Sequence, residues 1–417
     1  MTEIDRELVN TCVHCGFCLP TCPTWGLWQE EMDSPRGRIY LMESLLDGTV
    51  ALNQTVVQHF DRCLGCMACV TSCPSGVRYD RLIEQTRAVV EREHRRPRRE
   101  RAIRRLVFAL FPHPRRLRAA LALAPVGRRL PMPRTLRPLA ELAPPWRSSE
   151  APPEITQAQG ERAARVGLLA GCVQRVLFGN VNAATARVLA AYGSEVAVPR
   201  GQGCCGALAV HAGRDEEGRE RARRTIAAFD AAEVEHVVTN AAGCGSVMKE
   251  YGVLLAGDTE WAERAARFSA RVRDVSEIIA ELAPRAEHRP LELRVAFQDS
   301  CHLLHAQGVR LPPRALLAAV PGLELAEPGE QEICCGSAGI YNLVQPDAAR
   351  ELGSRKAELV LAVEPDAYAS ANPGCLVQVT SALRRAGRPL PAFHPVELVD
   401  ASLRGIDAGE LLAHARR

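Results

Sequence analysis

Two runs of cysteine share one spacing: Cys12-x2-Cys15-x2-Cys18-x3-Cys22-Pro23 and Cys63-x2-Cys66-x2-Cys69-x3-Cys73-Pro74. Thiolates so spaced are soft ligands for iron–sulfur clusters. Three thiolates separated by two residues each wrap one face of a cube. The proline after the fourth turns the chain away, and in two-cluster ferredoxins that fourth cysteine ligates the other cluster. The expected sets are Cys12, Cys15, Cys18 and Cys73 on one [4Fe-4S] cluster, and Cys63, Cys66, Cys69 and Cys22 on the other. The exchange ties residues 10–25 to 60–76 and makes cluster binding part of folding. Zinc fits less well, because its structural sites take two separate Cys-x2-Cys pairs.

The other eight of the sixteen cysteines form two further sets: Cys172, Cys204, Cys205 and Cys244, then Cys301, Cys334, Cys335 and Cys375. Each set contains a Cys-Cys-Gly, whose glycine permits a tight or positive-φ turn so that neighbouring thiols converge. Buried cysteines acting as small hydrophobes would not recur in register, so each set is a candidate metal or cluster site. Polar neighbours tune such sites. His14 lies inside the first run, although four thiolates already suffice there. Arg36 and Arg38 lie between the runs, either facing an anionic cluster or in a solvated turn. His302 and His305, one helical turn apart, offer ligation, proton transfer or ordinary packing.

The elements that must position these residues follow from pattern. Residues 1–90 carry both ferredoxin-type runs on a mostly helical background. Residues 91–160 form a Pro- and Arg-rich connector, in which proline should favour extended or turning chain. Residues 161–284 and 285–417 repeat each other. In each, a short apolar run precedes the first cysteine (Arg165–Leu169, Leu293–Phe297) and another precedes the last (His236–Asn240, Ala367–Ala371). Ala183–Tyr192 and Arg219–Ala232 read as amphipathic helices between such runs. The fold class expected is α/β in the duplicated C-terminal part, with cysteines at strand ends where open sheets place ligands, after a mostly α-helical N-terminal module.

At 417 residues the chain suffices for two or three cores. A net charge of +3 excludes nucleic acid as an argued partner. Lys249 and Lys356 are the only lysines, which reads as codon bias rather than recognition. The polar start and the lack of an apolar run of roughly 18 residues predict a cytoplasmic protein, where thiols stay reduced and disulfides are rare. Arg101–Arg118, with Leu106–Phe111, offers possible peripheral contact with the inner face of the cell membrane; a solvated or partner-facing connector is the alternative.

The Cys-Cys-Gly segments resemble the "CCG" domains of the heterodisulfide reductase family. A two-cluster module followed by two such domains resembles the iron–sulfur subunits of glycolate oxidase (glycolate dehydrogenase). Val13–Cys18, Ser34–Leu41, Cys73–Tyr79, Asn182–Leu189, Lys249–Gly252, His305–Gln307 and Cys334–Gly339 carry that likeness. It implies FAD-binding partner subunits that oxidise glycolate to glyoxylate, with electrons relayed through this chain to quinone or another acceptor. The chain has no Gly-x-Gly-x-x-Gly and no defensible flavin or nicotinamide loop, so the FAD is expected on the partners only and no residue is assigned as catalytic. Disulfide-reducing relatives carry a further cysteine where this chain has Cys244-Gly245-Ser246-Val247 and Cys375-Leu376-Val377-Gln378. Their five-thiolate cluster is therefore not carried over, and one or two further clusters remain open. The alternatives are the equivalent subunit of a lactate or glycerol-3-phosphate dehydrogenase, and a catalytic heterodisulfide-reductase-like subunit.

Overall fold

A computed structural model describes residues 3–127, 150–282 and 286–416. Six helices make the N-terminal module: Arg6–Asn10, Pro23–Trp28, Pro35–Leu46, Gln54–Asp61, Ala68–Thr71 and Tyr79–Glu93. Side-chain caps fix where several begin. Asp5 accepts from the Glu7 and Leu8 amides, Ser34 from Gly37, and Asn53 from Thr55 and Val56. Ser34 satisfies an otherwise orphaned amide, and Pro35 takes the first helical position, where its missing N–H costs nothing. Pro35-Arg36-Gly37-Arg38 is thus the first turn of a helix, not a solvated turn. Met42, Val57, Phe60, Leu82 and Ile83 are fully buried between these helices.

Most of residues 98–127 of the connector is helical where proline density predicted extended or turning chain, whereas Pro152-Pro153 lie outside any helix. Pro112 and Pro114 do not abolish helix; they divide Arg98–Leu110 from Pro114–Gly127, with a proline at the start of the second. Pro131, Pro133 and Pro144-Pro145 lie outside the described residues. The apolar stretch offered for peripheral membrane contact buries Val107 and Phe108 inside the protein and leaves Leu106 exposed. Val107 packs with Ile340 and Leu343, and Phe108 with Ala209 and Ala212. Arg96 and Arg104 engage Asp61, Glu91 and Glu100, tying connector to module. No helix among the described residues is long and apolar enough to cross a membrane.

Two sheets follow. The first has order β1-β3-β2-β4-β5, from Ile155–Thr156, Ala164–Leu168, Ser194–Ala197, His236–Thr239 and Val272–Asp274. The second has order β7-β6-β8-β9, from Leu293–Gln298, Leu323–Ala326, Ala367–Ser370 and Ala392–Phe393. Removing the antiparallel edge strand β1 leaves the same parallel order in both. Strands β2, β6 and β8 are buried almost throughout, which is why they read as apolar runs without alternation. The halves join with two-fold logic. Helix Gly179–Ala191 of the first packs on Pro395–Arg404 of the second, and Val275–Glu281 packs on Leu311–Ala318. A bidentate Arg187–Asp400 pair at 2.8 Å spans the first contact.

Candidate metal centres

The two ferredoxin-type loops line two cavities and exchange their last cysteines. Cys12, Cys15, Cys18 and Cys73 line one, with Cys69 also in its wall. Cys22, Cys63, Cys66 and Cys69 line the other. Pro23 starts a helix directly after Cys22, which leads the chain away from the first cavity. Both loops use left-handed backbone at matching posts: His14 and Gly16 in one, Gly65 and Met67 in the other. Each loop therefore holds one non-glycine in a conformation costing about 1–2 kcal/mol. The turns aim amides at sulfur: the Gly65 N–H lies 3.4 Å from Cys63 Sγ. His14 itself is exposed, and its carbonyl accepts from Arg36 at 3.2 Å.

Charge distinguishes the cavities. Cys63 is fully buried, which alone would raise its pKa, but the guanidiniums of Arg38 and Arg87 outweigh burial and hold it below the ordinary thiol value. Arg38 is 1% exposed and donates to the His59 carbonyl at 2.6 Å and to Thr24. Tyr79 donates to Cys63 Sγ at 3.6 Å, and Arg87 to the Cys63 carbonyl at 2.6 Å. Cys66 and Cys69 go the other way, pushed well up by burial, and burial takes Cys18 to about 11. Metal binding at these thiols would therefore release protons. At the first cavity Arg36 is held by Glu31 at 2.7 Å, and the charges of Cys15 and Cys18 reinforce its own.

In the duplicated part every cysteine stands beyond the C-terminal end of a parallel strand. Cys172 follows β2, Cys204-Cys205 follow β3 and Cys244 follows β4; Cys301, Cys334-Cys335 and Cys375 follow β6, β7 and β8. Cys172 Sγ lies 3.5 Å from Cys204 Sγ, and Cys301 Sγ 3.9 Å from Cys334 Sγ. Cys205 also bonds to Cys244, and Cys335 to Cys375. Gly206 and Gly336 sit at φ +87° and +89°, where a Cβ on Gly336 would stand 2.9 Å from the Ala349 carbonyl. Cys204 is the acidic thiol of its set, because Cys172 and Cys205 donate to it; the Gly206 amide and Arg221 add to this. Cys335 is pushed up to about 12, first by its bond to Cys334.

Several contributing residues carried no sequence signal. Lys356 is 2% exposed, and its charge faces Cys334, Cys335 and Cys375. Arg221 faces Cys204 and Cys172. Cys66 shares one buried apolar cluster with Leu64, Cys301, Cys334 and Leu352, joining the second ferredoxin-type cavity to the second half. His302 and His305 lie in a single π-helical turn. His305 is held by Thr71 at 2.8 Å and by the Glu332 carbonyl at 3.0 Å. Burial lowers the pKa of His302 to about 3.

The donor set suits multi-iron clusters. The four ferredoxin-type thiols of each set line a shared cavity, as a cluster with one iron per thiolate requires.

The chain matches the model for a 4Fe-4S dicluster domain at residues 8–77 and that for a cysteine-rich domain at 166–249 and 295–380. It also matches the linker region of the glycolate oxidase iron-sulfur subunit at 99–151. It is 37% identical to the probable glycolate oxidase iron-sulfur subunit of Bacillus subtilis, covering 92% of this chain and 90% of that one. It is also 37% identical to the glycolate oxidase iron-sulfur subunit of Escherichia coli, covering 95% of each. Lactate utilization protein A of a Geobacillus strain is 29% identical over 57% of this chain and 99% of its own length. A crystal structure of a hypothetical protein from Helicobacter pylori shares the fold, with a TM-score of 0.53 and 8% identity, covering 91% of this chain and 69% of that one.

Proposed function

This chain belongs to the family of glycolate oxidase iron–sulfur subunits, and from that premise we propose that it passes electrons from glycolate to a quinone. Glycolate would be oxidised to glyoxylate at an FAD on partner subunits, since two-electron oxidation of a 2-hydroxy acid needs a flavin or its like. In this reading Cys12, Cys15, Cys18 and Cys73 hold one [4Fe-4S] cluster, and Cys63, Cys66, Cys69 and Cys22 the other. Cys172, Cys204, Cys205 and Cys244, and Cys301, Cys334, Cys335 and Cys375, hold one centre per half or share one. Such clusters supply one-electron steps at potentials set by net charge and hydrogen bonds to sulfur. Arg38, Arg87 and Lys356 provide positive charge beside the thiolates. Tyr79 and the loop amides orient them, and the buried seam around Cys66 keeps water from the path.

The observation that carries the reading is that seam, because it brings the crossed ferredoxin-type loops against the second Cys-Cys-Gly set. The lactate reading is weaker, since the linker match and near-complete coverage both fall on the glycolate branch. Membrane contact, if part of the function, uses a surface other than the buried Val107–Phe108 face. Anaerobic copurification with flavoprotein partners, with iron and sulfide counts and paramagnetic resonance, tests the proposal. Glycolate should bleach the visible absorption and produce reduced-cluster signals. A colourless zinc protein, or clusters that lactate reduces and glycolate does not, would overturn it.

A further inference from the structure

A cavity of about 420 Å³ opens where the cysteine-bearing parts of the chain meet. Its wall reaches the loop of each: Met67 stands between Cys66 and Cys69, Val247 follows Cys244, and His302 follows Cys301. We propose that this cavity binds the quinone, with the Nε2 edges of His211 and His302 toward one oxygen of its ring, their Nδ1 atoms being engaged by Glu84 and Cys301. The inference rests on the relay reading, because it names the place where electrons leave.

Shape and lining favour a flat uncharged ring with a tail. The volume falls within the roughly 300–1,000 Å³ of ordinary small-ligand pockets. Its apolar lining includes Val210, Val247 and Leu254, with the exposed Val253 beside them. The charges around it are mixed: Arg78 meets Asp80 at 2.5 Å and Glu250 at 3.9 Å. Recognition of a phosphate or carboxylate wants a surplus of guanidinium, and in this lining five carboxylates outnumber three arginines.

The histidines supply what the ring oxygen needs. His211 Nδ1 lies 3.2 Å from a Glu84 carboxylate oxygen, and its ring centroid lies 5.0 Å from that of His302. Both Nε2 atoms are sealed from water without a partner. Buried polar groups are nearly always paired, so two neighbouring orphans in one cavity wall call for a ligand atom. Reduction adds two electrons, arriving singly along the chain from the substrate oxidised at the partner's flavin. It also adds two protons, one drawn from solvent by way of the Glu84–His211 pair to the oxygen that His211 faces, the other taken from solvent at the opposite oxygen. The product is the hydroquinone, with one new O–H bond at each oxygen.

The test uses the chain purified anaerobically with its flavoprotein partner, and a short-tailed azidoquinone as photoprobe. Label should fall in segments 67–70, 208–211 or 246–254 and be suppressed by excess unlabelled quinone. Label elsewhere, or label that excess quinone leaves unchanged, overturns the site. In parallel, His211→Phe and Val253→Trp should raise the KM for quinone about tenfold, with iron content and glycolate-driven cluster reduction unchanged. An unaltered KM in both variants overturns the site. If glycolate fails to reduce the unsubstituted chain, the relay reading falls while photolabelling still decides the cavity.

Discussion

Lys356 shows how single charges prepare the thiol sites. Burial pulls its pKa down, while Cys335, Cys334 and Cys375 oppose that shift. Its Nζ donates to the Glu330 carbonyl at 2.6 Å. A buried cation is costly unless anions compensate it, and thiolates around a cluster are such anions. Lys356→Met keeps most of the packed stem and removes the charge. The reduced centre, one electron more negative, then loses more stabilisation than the oxidised one. The midpoint potential of the second-half centre should fall by on the order of tens of millivolts, read by a redox titration monitored by paramagnetic resonance. An unchanged potential would show that the lysine only packs. The cysteines were legible because their spacing is local. Lys356 was not, because its meaning depends on how helix Pro346–Ala362 packs over Cys334 and Cys335. Arg38 was half legible: its charge was noticed, but its place in a helix's first turn followed from the Ser34-Pro35 cap.

Matching helices in the two halves begin on unlike caps with opposite responses to pH. Asp274 starts Val275–Glu281 and His394 starts Pro395–Arg404, each closed by a glutamate at the third position. Burial raises the Asp274 carboxyl from 3.8 to about 6 and lowers the His394 imidazole from 6.5 to about 3. The stability that neutral His394 contributes is complete above 6.5 and is lost as pH falls toward 3. That of protonated Asp274 is complete below 3.8 and is lost as pH rises through 6. Between about 4 and 6 the slopes oppose, each up to about 1.4 kcal/mol per pH unit. Asparagine caps well, so His394→Asn should lessen the stability lost between pH 7 and 5, and Asp274→Asn should steepen it. Anaerobic urea unfolding at pH 5, 6 and 7 measures this, and identical pH slopes in the three proteins would refute it. The repeat holding these caps was legible from the apolar runs that precede its cysteines. The connector helices were missed because proline was weighed as a breaker. Pro114, at a helix start, costs nothing there.

At the scale of the whole molecule the seams decide the order of electron transfer, and no local period encodes a seam. Cys66 meets Cys301 and Cys334 only because helices and loops distant in sequence close over Leu64, Tyr341 and Leu352. The two halves then touch through their cysteine-bearing loops: the Ala242 amide donates to the Ala371 carbonyl at 3.2 Å, and the Gly243 amide to Asn372 Oδ1 at 3.4 Å. These two seams offer a path from the ferredoxin-type loops through the second-half thiols to the first-half thiols, although the module also touches the first half directly, where Arg87 donates to the His211 carbonyl at 3.1 Å. Removing one thiol from each set separates this order from a branched one. Where each half holds its own centre, Cys335→Ala should leave glycolate reduction of the ferredoxin-type centres intact and sharply slow that of the first-half centre; a centre shared by the halves would instead be lost in both variants. With Cys205→Ala, the second-half centre should be reduced at the parental rate. Rapid freeze-quench paramagnetic resonance on the complex with its flavoprotein partner resolves the two outcomes, with iron counts confirming that only the altered set is lost. A first-half centre that fills at the parental rate in Cys335→Ala would mean that electrons reach it without crossing the Cys66 seam.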